Sequence, residues 1–202
     1  MDKAIVLDLD GVLIKGARFS DTLAERYNIQ NHVTKEFFVT TFQDCLIGKK
    51  DLKKELSSVI SSWGWRGNVN QFIDVWFSGE NVIDEEMTSI LQIVRNDKVP
   101  IFVATNNEKY RTGYVRMLLD ETLIEYVYSS ADIGYIKPHF EFYETVRKSI
   151  QKKYPTVQQF VFWDDDKHNV EGALNAGFHS YFFQSNEQFK KELQSHFDHL
   201  TL

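Results

Sequence analysis

The stretch from Lys3 to Leu13, K-A-I-V-L-D-L-D-G-V-L, constrains the fold more than any other part of the chain. Ala4, Ile5, Val6 and Leu7 are an unbroken apolar run, which predicts a strand buried on both faces, as at the centre of a parallel sheet. The run passes straight into Asp8-Leu9-Asp10-Gly11. Alternate side chains of an extended chain point the same way, so Asp8 and Asp10 leave one side of the strand's end together. Two adjacent carboxylates repel unless a cation or a proton lies between them. Gly11 allows a sharp turn where a side chain would block a ligand. The pattern points to metal-assisted chemistry at the carboxyl end of a sheet, where open α/β folds place their sites. A calcium loop can begin in the same way, but Val12, Leu13 and Ile14 stand where it needs further oxygen ligands.

A chain of 202 residues can bury a substantial core as one large domain, or as one domain with a smaller insert. Its net charge of −6, with no block of Lys or Arg, argues against a nucleic-acid partner. No apolar run is long enough to cross a bilayer, so a membrane partner is not expected. Cys45 is alone, which excludes an internal disulfide and favours a reducing compartment. The first strand begins at the N-terminus itself, leaving no room for a signal peptide. The expectation is a soluble cytoplasmic protein; the sequence assigns no oligomeric state.

After Leu13 the periodicity turns helical and stays so to about Gly79. Ser20 is placed to cap a helix over 21–27, and Thr34 one over 35–46 that Gly48 ends. Two more follow, over 51–63 and 69–77. Four short helices without a strand predict a compact helical insert. Its aromatics (Phe37, Phe38, Phe42, Trp63, Trp65, Phe72, Trp76 and Phe77) read most simply as its core, with a ligand-stacking role left most open for Trp63 and Trp65. From Asp84 onward strand and helix alternate. Helices are predicted to about Asp97, over 108–119, from Phe140 to Lys152, from Asn169 to Gly177 and over 186–199. Strands are predicted at 100–104, 126–129, 160–163 and 180–183. Such alternation implies a parallel sheet covered on both faces.

Three of those strands end in polar clusters: Asp8/Asp10, Thr105/Asn106 and Asp164/Asp165, with Lys137 in a loop between the last two. Each has a plain structural reading, as a helix cap, a turn or a solvated charge. Together, at one edge of a parallel sheet, they are a carboxylate cage with a hydroxyl donor and a cation, the equipment of phosphoryl transfer. Four acids in one crevice call for a divalent cation, and hard oxygen donors suit Mg²⁺.

Asp8-Leu-Asp-Gly-Val, Val103-Ala-Thr-Asn, Lys137-Pro and Phe162-Trp-Asp-Asp resemble, in order and context, the four motifs of the haloacid dehalogenase-like (HAD) hydrolase superfamily. The resemblance covers nearly the whole chain. It implies a three-layer, doubly wound Rossmannoid α/β core, residues 1–14 and 80–202, with an α-helical C1-type cap over 15–79. The run Asp164-Asp-Asp-Lys-His-Asn-Val-Glu-Gly-Ala looks like that of small bacterial sugar-phosphate phosphatases. By resemblance, Asp8 is the nucleophile that forms an aspartyl-phosphate. Asp10 protonates the leaving alcohol and then activates water. Thr105 and Asn106 hold the phosphoryl oxygens and Lys137 offsets charge. Mg²⁺ is held by the Asp8 side chain, the Asp10 backbone carbonyl and Asp165, with Asp164 either ligating or supporting. Dehalogenase members lack an acid at the position of Asp10, because expelling halide needs no proton. Its presence favours hydrolysis of a small phosphorylated metabolite. Asn107, where a small residue is common, and His168, beside the acid run, are minor departures.

Three rival readings remain open on the sequence. They are a phosphotransferase or mutase on the same scaffold, a signalling receiver domain, and a catalytically silent protein that only binds a partner. Motif order and the helical insert argue against the receiver. Lys15, Arg18, Phe19 and the turn at Gly48-Lys49-Lys50 are the candidates for substrate specificity, the basic ones toward a second anionic group.

Overall fold

The computed structural model describes residues 2–16 and 18–200. Its centre is the expected strand, β1 (Lys3–Leu7). It pairs in parallel with β4 (Ile101–Thr105) on one side and β6 (Gln159–Asp164) on the other. β5 (Tyr126–Ser129) and β7 (His179–Phe182) complete a parallel sheet of order β5-β4-β1-β6-β7.

Side-chain alternation then builds the three layers. Ile5, Leu7, Ile101, Val103, Val161 and Trp163 face one side, against α6 (Glu85–Asn96), α7 (Lys109–Leu118) and α11 (Asn186–His196). Ala4, Val6, Phe102, Ala104, Phe160 and Phe162 face the other, against α9 (Phe140–Lys153) and α10 (Lys167–Asn175). The period of two in the strands thus feeds two separate apolar cores. A four-residue helix, α8 (Ser130–Ile133), follows β5 directly; the sequence reading had no element there.

Between β1 and α6 lie α1 (Phe19–Tyr27), α2 (Asn31–Val39), α3 (Thr41–Leu46), α4 (Leu52–Val59) and α5 (Val69–Gly79). They share a third core around Leu56, Phe72, Trp63 and Trp65. The two expected caps here are not caps. Ser20 lies inside α1, whose N-cap is Arg18 with no side-chain bond. Thr34 is buried inside α2, its hydroxyl donating to the Asn31 carbonyl, and the expected 35–46 helix breaks at Thr40. Asp51, Asn68 and Asp84 do cap α4, α5 and α6, each side chain accepting an N–H of the first turn. The chain leaves and rejoins the sheet layer side by side, through an antiparallel ribbon of β2 (Ile14–Lys15) and β3 (Val82–Ile83) that periodicity did not reveal. Cys45 is buried and free. Among the described residues no helix is long and apolar enough to cross a membrane.

Outside the carboxyl edge, one ion cluster ties both helical layers to the sheet. Glu125, just before β5, meets Arg95 of α6 at 2.5 Å and Lys153 of α9 at 2.7 Å. Burial alone pushes this carboxyl up, but Lys153, Tyr154 and Arg95 outweigh it and hold it at about 2. A depressed folded-state value gives stability that is present at neutral pH and lost as pH falls through that value. Glu125→Gln therefore lowers stability at pH 7 by roughly 1 kcal/mol, the upper end for partly exposed pairs. In urea denaturation the difference from wild type narrows as pH drops from the ordinary glutamate range toward about 2.

Candidate active site

β1 ends where its neighbours β4 and β6 end, so their three polar clusters meet at one edge. Asp8 extends the β1–β6 pairing by one bond, its N–H donating to the Trp163 carbonyl at 2.8 Å. The chain then turns at once, with the N–H groups of Leu13 and Ile14 both donating to the Leu9 carbonyl. Gly11 is required in that turn. Its φ is +85°, and a Cβ there would lie 2.1 Å from Asp165 Oδ2. The missing side chain lets the Asp165 carboxyl approach the Asp8–Gly11 segment.

At the bottom of the site lies a buried charge cluster. Lys137 Nζ sits 2.7 Å from Asp8 Oδ1 and 2.7 Å from Asp164 Oδ2, with the lysine 2% exposed and Asp164 fully buried. Asp8 Oδ1 also accepts the Leu9 N–H at 2.7 Å. Asp164 Oδ1 accepts from the Asp166 N–H and the Asn169 amide. Burial drives the Asp8 carboxyl well above its usual range; Lys137 pulls it back in part, and Asp164 and Asp10 push it further up. Burial works to strip the proton from Lys137, but Asp8 and Asp164 outweigh it and raise its value. Asp165 is raised as well, by burial and by the neighbouring Asp164.

Lys137 is held from two directions. The Asn106 side chain grips its backbone, accepting the Lys137 N–H at 2.8 Å and donating to its carbonyl at 3.0 Å. From α10, Gly172 comes so close that a Cβ would meet the Pro138 carbonyl oxygen at 2.5 Å. The Asn106 side chain thus fastens the Lys137 loop while the residue lines the same cleft as Asp8 and Thr105.

Asp10 is set apart from the buried cluster, exposed on the cleft wall. Arg111 Nη2 lies 3.1 Å from its Oδ1, and the Asn107 amide donates to its Oδ2 at 3.2 Å. The same Asn107 amide donates to Thr105 Oγ1 at 2.8 Å, which leaves the threonine hydroxyl proton for another acceptor. Arg111 is 4% exposed and also donates to the carbonyls of Phe77 and Glu80, at and just beyond the C-terminal turn of α5. Its own position follows from Glu108, the buried N-cap of α7, which accepts the N–H groups of Tyr110 and Arg111. Sequence reasoning missed Arg111 and Glu108. Their only signal was an acid placed to cap a helix with an arginine three residues on.

Asp8, Asp10, Thr105, Asn106, Lys137 and Asp165 all line one cleft of about 720 Å³, and Asp164 lies behind it. The opposite wall comes from the helical segment, through Phe19, Phe38, Phe42 and Trp76. Arg18 and Phe19 line the cleft as the sequence suggests; Lys15, Lys49 and Lys50 do not. Lys15 pairs with Asp84, and Lys50 with Asp44 at 3.3 Å. Trp63 and Trp65 are core residues, and border instead a second hollow of about 790 Å³ that holds none of the motif residues. His168 is exposed at the start of α10.

The cluster fits a hard divalent cation. Asp8, Asp164 and Asp165 each offer a carboxylate oxygen, all within 4.8 Å of one another. Two oxygens on one Mg²⁺ lie about 3–4.2 Å apart at its usual bond length, so small side-chain shifts close the set. All the donors are carboxylates, which suit Mg²⁺ and not a soft metal.

A family model for haloacid dehalogenase-like hydrolases matches residues 3–177. No curated protein matches the sequence. Among solved structures, the fold is similar to that of a HAD family enzyme from Bacteroides thetaiotaomicron in complex with magnesium and inorganic phosphate. The TM-score is 0.75 at 18% identity, covering 95% of this chain and 99% of that one. A predicted HAD-like family hydrolase from Porphyromonas gingivalis gives 0.72 at 22% identity, covering 98% of each chain. The L-2-haloacid dehalogenase of Xanthobacter autotrophicus gives 0.65 at 18% identity, covering 96% of this chain and 83% of that one. These likenesses speak for the fold. With the family model spanning most of its length, the chain belongs to the haloacid dehalogenase-like hydrolases.

Proposed function

We propose that this hydrolase cleaves a small phosphomonoester through an aspartyl-phosphate on Asp8, with Mg²⁺ as cofactor and residues 15–79 acting as a cap over the cleft. The observation that carries the reading is Asp10. A second carboxyl, held by Arg111 and Asn107 in the same cleft as Asp8, serves a leaving alcohol that needs a proton. Expelling halide needs none, which favours phosphate esters over the chemistry of the dehalogenase relatives.

In the first step a carboxylate oxygen of Asp8 bonds to phosphorus, the bond to the ester oxygen breaks, and the Asp10 proton passes to that oxygen. In the second, water attacks phosphorus, Asp10 takes its proton, and the Asp8–phosphorus bond breaks to release inorganic phosphate. Lys137 holds the Asp8 carboxyl in place and offsets its charge; the Thr105 hydroxyl is placed to donate to a phosphoryl oxygen. Arg111 and Asn107 act on Asp10 as positioning residues. The Asp8 and Asp165 carboxylates and the Asp10 carbonyl would hold Mg²⁺, with Asp164 supporting, since its two oxygens already take three donors. When bound, the cation masks the phosphoryl charge that repels an anionic nucleophile.

Asp8→Asn should fold and release no phosphate. Asp10→Asn should slow release from an alkyl phosphate by about 10²–10⁴-fold, the usual share of general acid catalysis, and far less from p-nitrophenyl phosphate, whose leaving group needs no proton. Arg111→Met should show the same leaving-group bias more weakly, whereas equal loss on both esters would reduce Arg111 to a structural role. For the cation, Mg²⁺ at a hundredfold excess over Kd should raise the Tm of the wild-type chain by about 5–10 °C. Asp165→Asn should abolish most of that shift, and an unshifted wild-type Tm would remove Mg²⁺ from the account.

A further inference from the structure

The cleft has two unlike walls. The sheet edge supplies the charged groups, and the helical segment supplies rings. Trp76 of α5 stacks on Phe19 of α1 at 4.9 Å and 6°. Phe38 of α2 stands edge-on to Trp76 at 5.4 Å, and Phe42 of α3 lies 5.5 Å from it. Phe72, in the core behind them, is fully buried, but Phe38 and Phe42 are only half-buried and line the cleft. Helix packing has therefore not used up this aromatic surface, and it faces the phosphoryl site.

The charges in the cleft point the same way. Five carboxylates line it: Asp8, Asp10, Glu80, Asp165 and Asp166. Its cations are Lys137, bound between two aspartates, and Arg18, exposed at the rim. The lysines that could have met a second anion are turned to other partners or lie elsewhere. The polar side chains are concentrated on the sheet edge. On the helical wall they are Arg18, Ser20, Asn31, Thr34 and Glu80; each Glu80 oxygen already accepts a donor, the Phe19 N–H or the Trp76 indole, and the Thr34 hydroxyl donates to the Asn31 carbonyl. A second phosphate or carboxylate on the substrate would enter a field of its own sign, and a bare polyol would leave the rings wet.

Building on the phosphomonoesterase reading, we infer that the substrate is a monophosphate ester whose alcohol carries an aromatic or heteroaromatic ring and no second anionic group. The ring lies against the half-buried Phe38 and Phe42, which Trp76 backs from the core, while the phosphoryl group reaches Asp8. A cleft of about 720 Å³ has room for both.

The test separates affinity from turnover. Calorimetry on Asp8→Asn protein with Mg²⁺ compares phenyl phosphate, adenosine 5′-monophosphate and flavin mononucleotide with glycerol 1-phosphate, glucose 6-phosphate and fructose 1,6-bisphosphate. At least one aromatic ester should bind about tenfold more tightly than every ester of the second group, the scale of one good ring contact. Adding Phe42→Leu, which keeps apolar bulk but removes the ring, should bring that affinity down toward the aliphatic value. The kcat/KM of the wild-type chain over the same panel should follow the same order. Equal affinities, a preference for the bisphosphate, or an unchanged ratio in the Phe42→Leu protein would overturn the inference. Failure of the wild-type chain to hydrolyse any ester would overturn the phosphatase reading instead, because the affinity ratio does not depend on turnover.

Discussion

A lysine buried between two aspartates is the contact on which the rest of the site depends. Lys137, Asp8 and Asp164 come from three different parts of the chain, and each would be costly to bury alone. Lys137 offsets one of the two carboxylate charges; without the lysine both carboxylates would be left unpaired inside, at a cost of about 3–5 kcal/mol, whereas without either aspartate a paired lysine remains. This explains the number of devices that fix the lysine. The Asn106 side chain clamps its backbone, Gly172 lets α10 close on its loop, and Phe162 lies under the ammonium at 5.7 Å. The net charge of the trio is negative, and Asp165 adds to it. Such a cluster is ready for a cation and, on the proposed reading, for a phosphoryl group whose charge the cation would mask.

The sheet order makes that trio possible. β1 lies between β4 and β6, so the residues that follow all three strands emerge side by side. The helical segment then enters and leaves through the β2–β3 ribbon just beyond Asp10. Arg111 joins these two parts of the molecule, with one guanidinium nitrogen shared between the Asp10 carboxylate and the Glu80 carbonyl and another on the Phe77 carbonyl. The end of α5 and Asp10 thus share one hydrogen-bonding partner. The chemistry of the sheet edge and the position of the helical layer are coupled through one buried side chain.

Much of this could be read from the residues because strand ends are local events. Four apolar residues running into Asp-x-Asp-Gly announce both a buried strand and what lies at its end, and Thr105 and Asp164 repeat the pattern. Asp84 and Gly48 mark helix ends by side-chain and backbone chemistry that needs no partner. What escaped depends on distant contacts. Arg111 is an ordinary helix residue until the chain folds back to place Asp10 and α5 around it. Ser20 and Thr34 had the chemistry of caps, but α1 and α2 begin earlier, at Phe19 and Asn31. The two-residue strands of the ribbon are too short to carry a period. Among the aromatics, composition could not say which rings close the core and which face the cleft. Trp63 and Trp65 turned inward, while Phe38 and Phe42 line the cleft.

The central claim is that Asp8, at the end of the middle strand and tied to Lys137, takes the phosphoryl group during turnover. Rapid quenching of the wild-type chain at work on a phosphomonoester with Mg²⁺, followed by borohydride reduction and peptide mass mapping, tests this directly. Reduction of an acyl phosphate converts the aspartate to the corresponding alcohol, and the account predicts that change at Asp8 alone. An unmodified Asp8 under conditions where phosphate is being released, or modification at another carboxylate, would contradict it.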